Sequence, residues 1–162
     1  MGNNITKDKI KFQDELLHKI NKVENLEASQ EELHSLIKKP AHKLREELIN
    51  NKDLKMTTIL NHYHILKQEE QNEHNSLVEV IYDEAYVRCQ QLDELREKET
   101  INYQQKKLLG FYMSIKDCLK FKNTASTCGF YINLNKKCPK NERTVKHLIE
   151  QGVIFISKGN IP

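Results

Sequence analysis

Tryptophan is absent from this chain of 162 residues, and between Asn3 and Leu109 there is no glycine and a single proline, Pro40. With the usual breakers missing, almost nothing in that stretch interrupts helices. No apolar run approaches the roughly 20 residues that a membrane-spanning helix needs. The N-terminus lacks the hydrophobic stretch of a secretory signal. Only four cysteines occur, Cys89, Cys118, Cys128 and Cys138, too few and too evenly scattered for a secreted disulfide scaffold. These absences lead us to expect a reduced intracellular protein.

What is present is unevenly placed. Four of the five glycines fall late, at Gly110, Gly129, Gly152 and Gly159, so the architecture is expected to change near Gly110. Charge changes there as well. Residues 1–109 hold 17 Lys and Arg against 20 Asp and Glu, whereas residues 110–162 hold 9 against 3. A slightly acidic body followed by a basic piece favours docking on an acidic protein or on nucleic acid.

Upstream of Gly110 the apolar residues recur at helical spacing. Ile10, Leu16, Leu17, Ile20 and Val23 predict a helix that Thr6 could cap. Ser29 and Glu32 have capping-box spacing ahead of Leu33, Leu36 and Ile37. Pro40 should end or kink that segment. Leu44 and Leu48 continue a short amphipathic piece. Ile59, Tyr63 and Leu66 start a further stripe, which Leu77, Ile81, Arg88, Leu92 and Leu95 resume after the polar residues 69–75, and a surface hairpin around residues 70–76 between two helices is preferred. Beyond Gly110, residues 111–115 and 130–134 read as strands, being short, aromatic and β-branched. Asn141 should cap a helix whose buried face is Val145, Leu148 and Ile149. Gly152 should end it in the left-handed region, before a final strand at 153–156.

Motifs that carry chemistry are scarce. Cys118, Cys128 and Cys138 lie ten apart with His147 nine further on, and no close pair of the kind zinc sites use is present. His62 and His64 would point to different sides of a helix. There is no nucleophile elbow, no phosphate-cradling glycine loop and no fixed carboxylate pair. Met1-Gly2-Asn3-Asn4-Ile5-Thr6 fits the short N-myristoylation pattern, making Gly2 a lipidation candidate. Lys116, Lys120, Lys122, Lys136, Lys137, Lys140, Arg143 and Lys146, interleaved with Phe121, Phe130 and Tyr131, could form a single-strand-binding surface.

The stretch from Ile115 to Ile156 carries Lys116-Asp117, Phe121, Gly129 before an apolar run, Lys136-Lys137, Arg143, and Leu148-Ile149-Glu150-Gln151-Gly152. In this order it resembles the C-terminal B domain of GINS complex subunit one, of the partner-of-Sld-five family. Glu97 to Tyr103 looks like the end of that family's helical A domain. The resemblance implies a mainly α fold, with a helical A-like domain over residues 1–107 and a small basic α/β B-like domain over 110–162. It further implies a nuclear, non-catalytic, cofactor-free component of a heterotetramer in DNA replication. Its partners would be the other GINS subunits, the MCM helicase ring, a RecJ-like helicase component and the leading-strand DNA polymerase, with DNA contact only indirect. Core and docking residues would be Lys116, Asp117, Phe121, Lys136, Lys137, Arg143, Leu148, Ile149, Gln151 and Gly152. The alternatives are an N-myristoylated helical adaptor at a membrane and a small basic nucleic-acid-binding protein.

Overall fold

In the computed structural model, residues 30–74 and 76–161 are described. The expected first helix, its Thr6 cap, Ser29 and Gly2 lie outside them. Helix α1 spans Gln30–Ile37 and α2 spans Ala41–Asn50. Pro40 stands at the junction, where its carbonyl accepts from Lys43 and Leu44 and so opens α2. Helix α3, Met56–His74, leads into strand β1, Leu77–Val80, and α4 follows at Tyr82–Glu97. Then come β2 (Tyr112–Lys116), a short 3-10 turn (Tyr131–Asn133), α5 (Arg143–Glu150) and β3 (Ile154–Gly159).

The three strands form one mixed sheet in the order β1-β3-β2, with β3 antiparallel to β1 and parallel to β2. This corrects the expectation of a helical bundle followed by a separate strand-bearing module. Strand β1 arises inside the glycine-free region and pairs with β3 77 to 82 residues later, Val80 opposite Ser157 and Leu77 opposite Gly159. The segment expected to resume a helix at Leu77 is therefore a strand, with Leu77 and Val80 buried.

Strand β3 explains why the fold is layered. Side chains alternate across a strand. Ile154 and Ile156 enter a core built from Leu44, Leu48, Met56, Ile59, Leu60, Ala85, Cys89 and Leu92, while Val153 and Phe155 enter a second core with Ile81, Ile115, Phe121 and Val145. Helices α2 to α4 thus cover one face of β3, and α5 with its neighbouring loops covers the other. The expected strand at 130–134 is not formed. Its centre is the 3-10 turn, and Phe130 and Ile132 are 67% and 74% exposed, so the run buries no face that a sheet could use.

A buried ion pair organises the helical layer. The Asp93 carboxylate on α4 accepts from the Met56 and Thr57 amides at 2.9 and 3.2 Å, capping α3 across space. Arg96, 2% exposed, bonds Asp93 at 2.9 Å and the carbonyls of Leu48, Asn51 and Leu54. It gathers a carbonyl near the end of α2 and two from the connection to α3 into one guanidinium.

Two glycines fix how the layers meet. Gly152 has φ +101°, and a Cβ there would lie 2.9 Å from the Leu109 Cα, because the turn after α5 presses on the 108–109 backbone. The amide of Leu108 donates to Gln151 O at 2.9 Å across the same contact. Gly110 (φ +80°) would drive a Cβ to 2.4 Å from Leu48 Cδ1.

Candidate active site

The chemistry-bearing groups collect where β2 and β3 end. The two strands run parallel, so both carboxyl ends open on the same side, the usual place for a site in sheets of this kind. The register pairs Ile115 with Lys158 and Lys116 with Gly159. Consecutive residues on β2 face opposite ways, which splits the site into a buried half and an open half.

The buried half is Asp117, Lys158 and the turn at 124–128. Asp117 is 1% exposed and its Oδ2 accepts three hydrogen bonds, from Thr127 N at 3.0 Å, Thr127 Oγ1 at 2.6 Å and Cys128 N at 2.8 Å. Its Oδ1 receives no hydrogen bond and faces the Lys158 ammonium at 3.5 Å. Lys158 is wholly buried and donates to Ala125 O and, at 3.2 Å, to Ser126 Oγ. The turn is held from behind as well. Cys138 N donates to Thr124 O at 2.8 Å, Ala125 N donates to the Glu79 carboxylate of β1 at 3.0 Å, and Ser126 Oγ donates to Leu119 O at 3.0 Å. Cys128 and Gly129 both have positive φ, which reverses the chain after Asp117 has gripped it.

The open half holds Ser114 and Lys116. Ser114 Oγ lies 2.7 Å from Ser157 Oγ. Lys116 is exposed, and its ammonium donates to Asn160 O at 2.7 Å. Asp117 N donates to Gly159 O at 3.0 Å, so Lys116, the last residue of β2, and Asp117 just after it clasp two successive carbonyls beyond Lys158.

The other residues singled out from sequence are dispersed. Phe121 is buried edge-on to Phe155, with ring centroids 5.8 Å apart. Lys136 is exposed and bonds Asn133 Oδ1 at 3.2 Å, and Lys137 is an exposed residue whose backbone bridges to Ala125. Arg143 lies at the start of α5, on an outward face shared with Lys146, His147 and Glu150. Leu148 and Ile149 are half-buried against the second core, and Gln151 follows the last turn of α5. Asn141 does not cap that helix, because its side chain accepts from Lys122 N at 2.7 Å and Glu142 takes the cap position. Sequence reasoning missed Lys158, Ser126 and Thr127. The available signal was Lys158 itself, a cation closing the otherwise uncharged run Val153–Ser157.

The model of the amidase family matches residues 59–162, a span that contains every group of this site. The chain belongs to the amidase family. Among curated amidase-family relatives it is similar to a glutamyl-tRNA(Gln) amidotransferase component of Protochlamydia amoebophila, 28% identical over 75% of this chain and 24% of that protein. It is also similar to putative amidase kk1C of Curvularia clavata, 32% identical over 54% of this chain and 16% of that protein. An amidase family protein of Bacillus anthracis superposes with a TM-score of 0.75 at 20% identity, over 91% of this chain and 29% of the other. A fatty acid amide hydrolase gives a TM-score of 0.77 at 13% identity, over 98% and 31%. The chain thus spans about a quarter or less of the length of these curated relatives.

Family membership overturns the resemblance to GINS subunit one. With it go the replicative role, the GINS, MCM, RecJ-like and polymerase partners, and the alternatives of a membrane adaptor or a nucleic-acid binder. The expectation of a non-catalytic chain is likewise corrected, since the family it belongs to is one of enzymes. The apparent GINS pattern rested on a lysine-aspartate pair at a strand end, a helix closing on Gln151-Gly152 and a following strand, which β2, α5 and β3 of this sheet supply.

Proposed function

We propose that this chain supplies part of a hydrolase that cleaves the C–N bond of a carboxamide, and that Lys116 is the amine that moves the proton. The observation that carries this reading is the contrast between the two lysines. Lys158 is enclosed and committed to Asp117, Ala125 and Ser126, whereas Lys116 stands exposed at the strand end with one hydrogen bond among the described residues. Amide hydrolysis needs a group that takes a proton from the attacking nucleophile and returns it to the leaving nitrogen, and a positioned lysine amine can do both. As the carbonyl carbon gains the new bond and the C–N bond breaks, that proton leaves with the amine or ammonia. The hydroxyls of Ser126 and Thr127 already donate to Leu119 O and to Asp117, so their role in this reading is to frame the site.

The test is ammonia release from simple primary carboxamides by the purified full chain, together with any protein that copurifies. Lys116→Ala should lower turnover by about 10²–10⁴-fold, the usual contribution of one acid-base group. Unchanged turnover in that variant would remove Lys116 from the mechanism. No ammonia from any carboxamide would remove the hydrolase reading.

A further inference from the structure

We propose that Lys158 is a positioning residue for the Lys116 amine, acting through Asp117 and the clasp at Gly159 and Asn160; this rests on the hydrolase reading above. An ammonium buried to zero exposure is costly, and an apolar side chain of similar length would commonly serve stability as well or better. Strand β3 gives every opportunity for one, since residues 153 to 156 are all apolar and buried. Lys158 instead brings a charge that reaches three acceptors on two pieces of chain: the Asp117 carboxylate at the end of β2, and the Ala125 carbonyl and Ser126 hydroxyl of the following turn.

The path to Lys116 is short and covalently tight. Lys158 holds Asp117 Oδ1, and the other oxygen of that carboxylate holds Thr127 and Cys128. The Asp117 amide holds Gly159 O, and the preceding residue, Lys116, reaches Asn160 O. If Asp117 rotates, the ends of β2 and β3 lose their common anchor and the acceptor for Lys116 is displaced. On the far side, Glu79 of β1 receives the Ala125 amide, so the turn that Lys158 grips is fixed to the third strand as well. Misplacing a reacting group by about an ångström can cost ~10²-fold in rate. That loss should fall on the chemical step while leaving substrate binding largely intact.

Lys158→Met alone strands a buried carboxylate, so the decisive protein is the double variant Asp117→Asn with Lys158→Met. It leaves no buried charge at this site and keeps an amide oxygen to accept from Thr127 and Cys128. We expect it to fold, to lose roughly 10–10²-fold in kcat with KM changed by less than about twofold, and to shift the pH profile of kcat. Lys158→Arg should recover part of the rate if the charge and its bonds matter. An activity-free readout accompanies these: the rate at which an amine-acylating reagent modifies Lys116, mapped by mass spectrometry with exposed Lys98 as control. Release from the clasp should raise that rate at Lys116 alone. An unchanged Lys116 rate overturns the coupling, whatever the turnover, as does a double variant with the native kcat and pH profile. Turnover that survives Lys116→Ala removes Lys116 from the mechanism, and none in the native protein overturns the hydrolase reading, so these failures are told apart from a failure of the coupling.

Discussion

Cys89 sits at zero exposure in the larger core, and burial pushes its thiol up to about 12, with the Asp93 carboxylate adding to the effect. The thiol of an unfolded chain ionises near its ordinary value of 9.0, so above that pH the folded state retains a proton that the unfolded state has lost. Its stabilising contribution is therefore complete below about pH 9 and is lost progressively as pH rises toward 12. Burial acts in the same direction on Tyr82, also raised to about 12, and on Tyr112. Stability measured by denaturant titration should fall with pH across this window, and Cys89→Ala should flatten part of that slope. The same burial sorts the thiols at neutral pH. Cys118 and Cys128 are exposed whereas Cys89 and Cys138 are buried, so a chromogenic thiol reagent should count two fast groups in the folded protein and four after denaturation. Three or four fast groups would contradict this packing.

Among the elements, α3 depends most on a residue far from it in sequence. Its first two amides are capped by Asp93, and Asp93 is paired with a buried Arg96. Asp93→Ala leaves the guanidinium without its counter-ion and the helix without its cap, and should cost about 3–5 kcal/mol. Equilibrium unfolding measures this directly, and a loss under about 1 kcal/mol would mean that the guanidinium's bonds to carbonyls suffice. Nothing in the local sequence announces this pairing, because the two partners are 37 residues apart. Other elements were legible in the chain itself. Residues 111–115 and 153–156 show the short apolar, β-branched signature of strands, and β2 and β3 fall there within a few residues. Strand β1 was hidden because Leu77 and Ile81 stand four apart and extend a helical stripe, and only the distant β3 gives Leu77–Val80 a reason to be extended. Residues 130–134 failed for the converse reason, having strand composition but no strand to pair with. At the site, Lys116 and Asp117 were singled out through a resemblance to another family. The burial that separates Lys158 from Lys116 is a tertiary property, and spacing does not encode it.

For the whole molecule, the decisive residues are those of β3 that reach both cores. Ile154, 1% exposed, contacts helices drawn from residues 44 to 92, while its neighbours Val153 and Phe155 pack with Val145 of α5. Ile154→Ala should cost about 2–5 kcal/mol through lost burial and the cavity left behind. Far-UV and near-UV circular dichroism should report one common transition shifted to lower temperature. Two separated transitions would show that the cores melt independently.

The strand order also sets a sequence of events in time. Among the described residues, β1 and β2 do not pair with each other, and each finds its partner in β3. During synthesis, β1 is made more than 70 residues before the strand it needs, and β2 about 40 before. Until residues 154–159 emerge, the helices can form their own contacts, but two strand edges stay without a template. Nascent chains in that interval are exposed to edge-to-edge association. The strand in the middle of the sheet is therefore also the event that gives both earlier strands their shared partner.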